Sequence, residues 1–384
     1  MMADVRNIMI EFADQTGLST TMKPAQRYLW TDAFAVCNFL TVYRQTGEEE
    51  YKNLALNLID QVHNILGRHR ADDPRTGWIS GLSEKEGQSH PTAGGLRIGK
   101  KLNECGPSEP FDERLEWERD GQYYHYLTKW MHALERVGVV TGDPKYCRWS
   151  VELAEAAHAG FTYVAPTGGA KRMYWKMSID LTRPLVQSMG LHDPLDGFVT
   201  YNELGLCTER ASDTPTVPDL GAEIAEMAKM CEGQKWETDD PLGIGGLLFD
   251  ACRMLQMTVK GYLRAPGFLE VLLRSSQHGL NDFVRQNPLN VSADYRLAFR
   301  ELGLSIGLKA VAKMRDLFDA NPGLFEERLS QKIESLMQYV PFSETIETFW
   351  QSPVNQQARS WTAHHDINMA MLATSLSPDE FLSL

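Results

Sequence analysis

A chain of 384 residues, 43% of them hydrophobic, is long enough to bury a large core, and its formal charge of −13 lacks the basic footprint that nucleic acid or an anionic membrane requires of a partner. No apolar run approaches a membrane span, and residues 1–21 do not pair a basic stretch with an apolar one, so a soluble, cytoplasmic protein is expected. Cys37, Cys105, Cys147, Cys207, Cys231 and Cys252 are scattered without a C-x-x-C pair, which suits buried thiols better than a disulfide framework or structural zinc.

In chain order, helices are expected over 23–45, 51–66, 121–137, 144–161, 173–187, 218–231, 242–262, 267–285, 293–318, 323–339 and 361–374. The stretch 51–66 keeps one apolar stripe through Tyr51, Leu54, Ala55, Leu58, Ile59, Val62, Ile65 and Leu66, so it reads as an outer helix, wet on one side. By contrast, 242–262 is apolar around most of its circumference and reads as an inner helix. Asp120, Asp143 and Asp240 are placed to cap the helices that follow them, and Pro184 should kink or end its helix. Sustained strand alternation is absent, leaving room for minor β-hairpins at most. With no Pro/Gly/Ser-rich linker to divide it, the chain is expected to be one domain, 1–384.

One segment is repeated. The turn Thr46-Gly47-Glu48, followed by Tyr51, returns as Thr141-Gly142-Asp143 followed by Tyr146, and His63 and His158 then fall in register. Such an echo means helical hairpins that bury their apolar faces against neighbours. These turns, together with Asp120-Gly121-Gln122 leading into Tyr124-His125-Tyr126, resemble the six-hairpin, (α/α)6-barrel superfamily of carbohydrate-active enzymes, which includes N-acylglucosamine 2-epimerase-like proteins and several glycoside hydrolase families. The resemblance implies an all-α fold, an (α/α)6 toroid of helical hairpins, acting on a small-molecule carbohydrate. It transfers no catalytic residue, because the epimerases' histidine-bearing segments have no match here.

Long loops at one rim of such a fold would carry the chemistry. The connection 70–120 far exceeds what a link needs and holds Arg97, Trp117, Glu118 and Asp120 ahead of Tyr124 and His125. Its carboxylates suit proton transfer and its rings suit stacking on a sugar face, although Glu113 to Asp120 reads equally as an ion-paired surface. Trp175 and Lys176 are placed similarly at the start of the 173–187 segment. Further on, His192, Asp193 and Asp196 sit together, as do Trp361, His364 and His365, offering histidine beside carboxylate. Gly94 to Lys100 matches G-x-x-x-x-G-K, but Lys101 stands where a phosphate loop needs Ser or Thr, so nucleotide binding is not expected; neither a cofactor nor a metal is implied.

Two catalytic expectations remain open, beside a non-catalytic toroid that binds a sugar or a protein partner. In a glycosidase, Glu118 or Asp120 would donate the proton, with Asp193 or Asp196 across the site. In an epimerase or isomerase, His365 would carry the proton transfer. The sequence does not fix the oligomeric state.

Overall fold

The computed structural model describes residues 2–19, 23–166, 168–169, 171–210 and 218–384. The chain is all-α. In order, its helices are α1 (Met2–Gln15), α2 (Leu29–Thr46), α3 (Glu49–Leu66), α4 (Glu84–Ser89), α5 (Glu113–Glu116), α6 (Tyr124–Thr141), α7 (Pro144–Phe161), α8 (Asp193–Arg210), α9 (Gly221–Cys231), α10 (Pro241–Val259), α11 (Pro266–Gln286), α12 (Ala298–Ala320), α13 (Glu327–Met337), α14 (Phe342–Gln351), α15 (Arg359–Thr362) and α16 (His365–Leu376). Five short strands stand between α5 and α8: β1 (Gln122–Tyr123), β2 (Thr162–Val164), β3 (Lys171–Met173), β4 (Lys176–Met177) and β5 (Pro184–Val186). Among the described residues no helix is long and apolar enough to cross a membrane.

The echoed turns are alike in detail. Gly47 (φ 74°) and Gly142 (φ 71°) both close the preceding helix in the left-handed conformation, their amides reaching back to Tyr43 O and Gly138 O. A side chain at either position would meet no atom within 4 Å, so only the backbone conformation resists substitution. Gly142→Ala should therefore destabilise the protein by about 1–2 kcal/mol, the usual cost of an L-residue in this conformation, read as a lower denaturant midpoint at unchanged slope. The two histidines of the echo are both packing residues. His63 is buried, accepts from the Trp130 indole at 3.1 Å and is pushed by burial down to about 3, while His158 pairs with Glu226 at 2.7 Å.

The described residues cluster into two compact units. One comprises Met1–Phe12, Arg44–Thr46 and Gln234–Leu384, the other Ala13–Tyr43 and Gly47–Gly233. In the first, α10 packs on α11 and α12, and α12 also on α13, α14 and α16. The expected all-round burial of the 242–262 segment is met from Ile244 to Met257. Glycines let α10 and α12 touch: a Cβ on Gly245 would lie 2.1 Å from the Gly303 carbonyl. Asp240 caps α10 through the Gly243 amide at 3.1 Å.

In the second unit, α6 packs on α7 and α8, and α8 on α9. Asp143 caps α7 as expected, accepting from Lys145 N at 3.0 Å. Two expectations need correction here. The 173–187 segment is not a helix: β4 is the middle strand of an antiparallel sheet ordered β1-β4-β5, and Pro184 opens β5 instead of kinking a helix. Asp193-Pro194 starts α8; Pro near a helix start loses no intrahelical hydrogen bond. Cys147 and Cys207 are bonded to each other, linking α7 to α8 with Cα atoms 6.0 Å apart, whereas Cys37, Cys105, Cys231 and Cys252 are buried outside that bond.

Candidate functional site

The long 70–120 connection is ordered by its polar clasps. Asp120 caps no helix, since Tyr123 holds the N-cap position of α6. It is instead fully buried. One of its oxygens accepts from Arg97 at 2.8 Å and Arg70 at 3.2 Å, the other from the amides of Gly99 at 2.9 Å and Gly121 at 3.1 Å. Gln122, two residues on, accepts from Leu96 N and donates to the Gly94 and Ile179 carbonyls. The Asp120-Gly121-Gln122 motif thus ties the connection to the β-sheet. Arg97 is spent in the same clasp, its other donors on Arg68 O and Ile65 O.

That sheet builds the wall of a cleft. Antiparallel pairing sets Tyr123 of β1 opposite Lys176 of β4, which brings Trp175 alongside. The buried Lys176 ammonium spends its three donors on Glu116 Oε1 (2.6 Å), Glu116 O (2.8 Å) and Arg119 O (2.9 Å). Burial pulls it below the usual lysine value, with Glu116 opposing. Beside its partner Glu116 lies a cavity of about 170 Å³, lined by Phe111, Trp117, Tyr123, Trp175, Val186, Ser188 and the acids Glu113 and Glu116. Trp117 meets Trp175 edge to face at 5.2 Å, and Trp175 lies 5.6 Å from Tyr123. Half of Trp117's surface remains exposed.

The row of rings continues into ionisable groups. Tyr123 stacks on His125 at 5.5 Å, and Tyr126 meets His125 edge-on at 4.8 Å. Successive residues on a helix point about 100° apart, so Tyr124 turns the other way, into the core, donating to the Tyr201 hydroxyl at 2.9 Å. His125 Nδ1 lies 3.7 Å from Asp193 Oδ1 in the first turn of α8. The second oxygen of Asp193 is buried without a hydrogen-bond partner among the described residues. Burial, reinforced by the neighbouring Asp196 charge, pushes Asp193 up to about 7, and burial pushes His125 down to about 4. Asp196 is held by Lys129 through both oxygens, at 2.8 and 2.9 Å, and by the Thr128 hydroxyl. Near neutral pH the site therefore offers an unprotonated imidazole beside a carboxyl group that still keeps a large share of its proton.

Of the residues singled out from the sequence, Trp117, Trp175, Lys176, His125, Asp193 and Asp196 belong to this neighbourhood. Glu118 is exposed and His192 partly so, its carbonyl accepting from the Asp196 amide at 2.9 Å. The Trp361, His364 and His365 set belongs to the other unit. There Trp361 is buried and stacks on Trp350 at 5.7 Å. The exposed His364 lies 5.4 Å from Phe299, and the Asp366 carboxylate, 3.4 Å from His365 Nδ1, raises that histidine above its usual value. Tyr123 and Lys129 are functional-site residues that the sequence patterns do not single out; Lys129 follows His125 by four residues on one helix face, the spacing that carries its signal. Among the described residues no group of three or more His, Cys, Asp or Glu side chains is arranged to hold a metal ion.

Fold and site together define an all-α protein of helical hairpins with an aromatic cleft beside a histidine–carboxyl pair. No family profile matches the chain, and no curated protein sequence does either. Among solved structures it is similar to the cellobiose 2-epimerase from Spirochaeta thermophila, with a TM-score of 0.49 and 11% sequence identity, covering 99% of this chain and 98% of that one.

Proposed function

We propose that this protein is a carbohydrate-active enzyme that epimerises or isomerises a sugar by proton transfer next to its carbonyl group. The observation that carries the reading is the His125–Asp193 pair, 3.7 Å apart at the end of a row of aromatic rings. A sugar stacks its C–H face on rings such as Trp117 and Trp175. Neutral His125 takes the proton from the carbon α to the carbonyl, and the protonated Asp193 gives its proton to the carbonyl oxygen, producing an enediol. Return of the proton from imidazolium to the adjacent carbon, with the other hydroxyl proton taken by Asp193, gives the isomer; return to the original carbon gives the epimer once the planar enediol has turned its opposite face to His125, and either course restores both groups. Opposite protonation states in adjacent groups are what acid–base pairs require.

Of the two donors proposed for a hydrolase, Asp120 is fully buried with four donors around it and Glu118 is exposed, so the hydrolase reading is the less favoured one. His365 is likewise replaced as the proposed base by His125, which has the shared aromatic cleft beside it. The test is incubation in D2O with a panel of aldoses, ketoses and reducing disaccharides, followed by proton NMR. Loss of the signal from the hydrogen α to the carbonyl, with appearance of an epimer or isomer, is expected for at least one sugar. Saturable binding without any exchange would replace the enzyme by a sugar-binding protein, and release of a monosaccharide from a glycoside would restore the hydrolase.

A further inference from the structure

Proton transfer leaves one feature of the cleft unused. Glu113, in the first turn of α5, lines the cavity beside Trp117, is exposed, and makes no hydrogen bond or ion pair among the described residues. The other acid of the lining, Glu116, is already neutralised by Lys176 at 2.6 Å. Trp117 and Trp175 stand at 74° to each other with centroids 5.2 Å apart, forming two walls of a corner, and Phe111, 61% exposed, stands at the same opening. Aromatic faces carry partial negative charge and attract cations, most strongly where water is partly excluded. The wall already holds one such contact, with the Lys176 ammonium 5.3 Å from the Tyr123 ring. A neutral sugar answers the rings but leaves Glu113 uncompensated in a chain of net charge −13, whereas a cationic group answers both.

Resting on the reading that this cleft receives a sugar, we infer that it selects amino sugars, with the protonated amine of the substrate held between the Glu113 carboxylate and the Trp117–Trp175 corner. The recognised chemistry is a primary ammonium on a pyranose or open-chain sugar, and acylation of that amine would remove it.

Titration calorimetry on the whole chain tests this with glucosamine, galactosamine and mannosamine against glucose, galactose, mannose and N-acetylglucosamine. At least one amino sugar is expected to bind about tenfold tighter than its neutral parent, glucosamine tighter than its N-acetyl form, and the preference should shrink in high salt. Glu113→Gln should abolish the preference, and Glu113→Lys should reverse it. Equal affinity for charged and neutral sugars, a preference that survives Glu113→Gln, or no binding of any of them overturns the inference. Solvent exchange at neutral sugars without an amino-sugar preference would leave the proton-transfer reading standing and sink this one. An amino-sugar preference in a protein that exchanges no proton of any sugar would do the reverse.

Discussion

Replacing His125 by Asn or Asp193 by Asn is expected to slow exchange of the substrate's α-hydrogen with solvent by two to four orders of magnitude, the range that a positioned general base or acid contributes. Neither change should unfold the protein, since His125 is partly exposed and Asp193→Asn removes a carboxyl that is costly to ionise where it lies. The pH profile carries the sharper signature. The base works only when neutral, so the rate should rise with pH as His125 loses its proton near 4. The acid works only when protonated, so the rate should fall as Asp193 loses its proton near 7. Between them lies a plateau on the acid side of neutrality. Asp196 raises Asp193 and Lys129 lowers it, so Asp196→Asn should move the falling limb to lower pH and Lys129→Met should move it higher. A rate independent of pH from 5 to 9, or full exchange in the Asp193 variant, would remove this pair from the chemistry.

The same raised carboxyl has a consequence for stability. A group whose folded pKa lies above its unfolded value favours the folded state while it stays protonated, and that advantage is lost as pH rises through the folded value. Asp193 therefore works against stability increasingly from about pH 4 to 7. His63 acts in the other direction, because its folded pKa of about 3 lies below the unfolded one; the protein loses stability as pH falls from the ordinary histidine range toward 3. Active sites commonly keep groups in states that the fold alone would not choose.

What the sequence made legible followed from long-period patterns. The Thr-Gly turn recurs with its flanking helices, the one-sided stripe of α3 and the burial of α10 each run over four helical turns or more, and the structure has them where expected. The cleft depended on what such patterns cannot reach. Strands β1 and β4 are two residues each, too short for alternation to register, yet their pairing is what sets Trp175 and Lys176 against Tyr123. Histidine next to carboxylate was legible at Asp193 and Asp196, but its histidine was sought at the adjacent His192, while the structure supplies His125 from α6, 68 residues away in the chain. Asp120 was misjudged as a cap for a related reason. Its partners Arg70 and Arg97 lie far upstream in the chain, and no local spacing announces them.

Asp120 therefore gives the second large effect, on stability instead of catalysis. Asp120→Asn keeps the shape of the side chain but removes the charge that faces two guanidinium groups, and it turns an amide toward donors that expect an acceptor. Breaking a buried ion pair by removing one partner costs about 3–5 kcal/mol, because the remaining charge stays buried without compensation. Arg70 keeps Asp72 at 2.7 Å, but the other donors of Arg97 reach only carbonyls, so the penalty falls chiefly on Arg97 and on the connection it holds. The melting temperature is expected to fall on the order of 5–10 °C. Well below that temperature the rate constant for exchange should stay within about threefold of the parent, while the exposed Glu118, changed to Gln, should alter neither quantity. Arg97→Met combined with Asp120→Leu would remove both charges at once and should recover part of the lost stability, since a buried pair replaced by apolar groups is often no worse than the pair itself. A hundredfold loss of exchange in Asp120→Asn at unchanged melting temperature would instead return Asp120 to the role of proton donor and dissolve the structural clasp argued from its four partners.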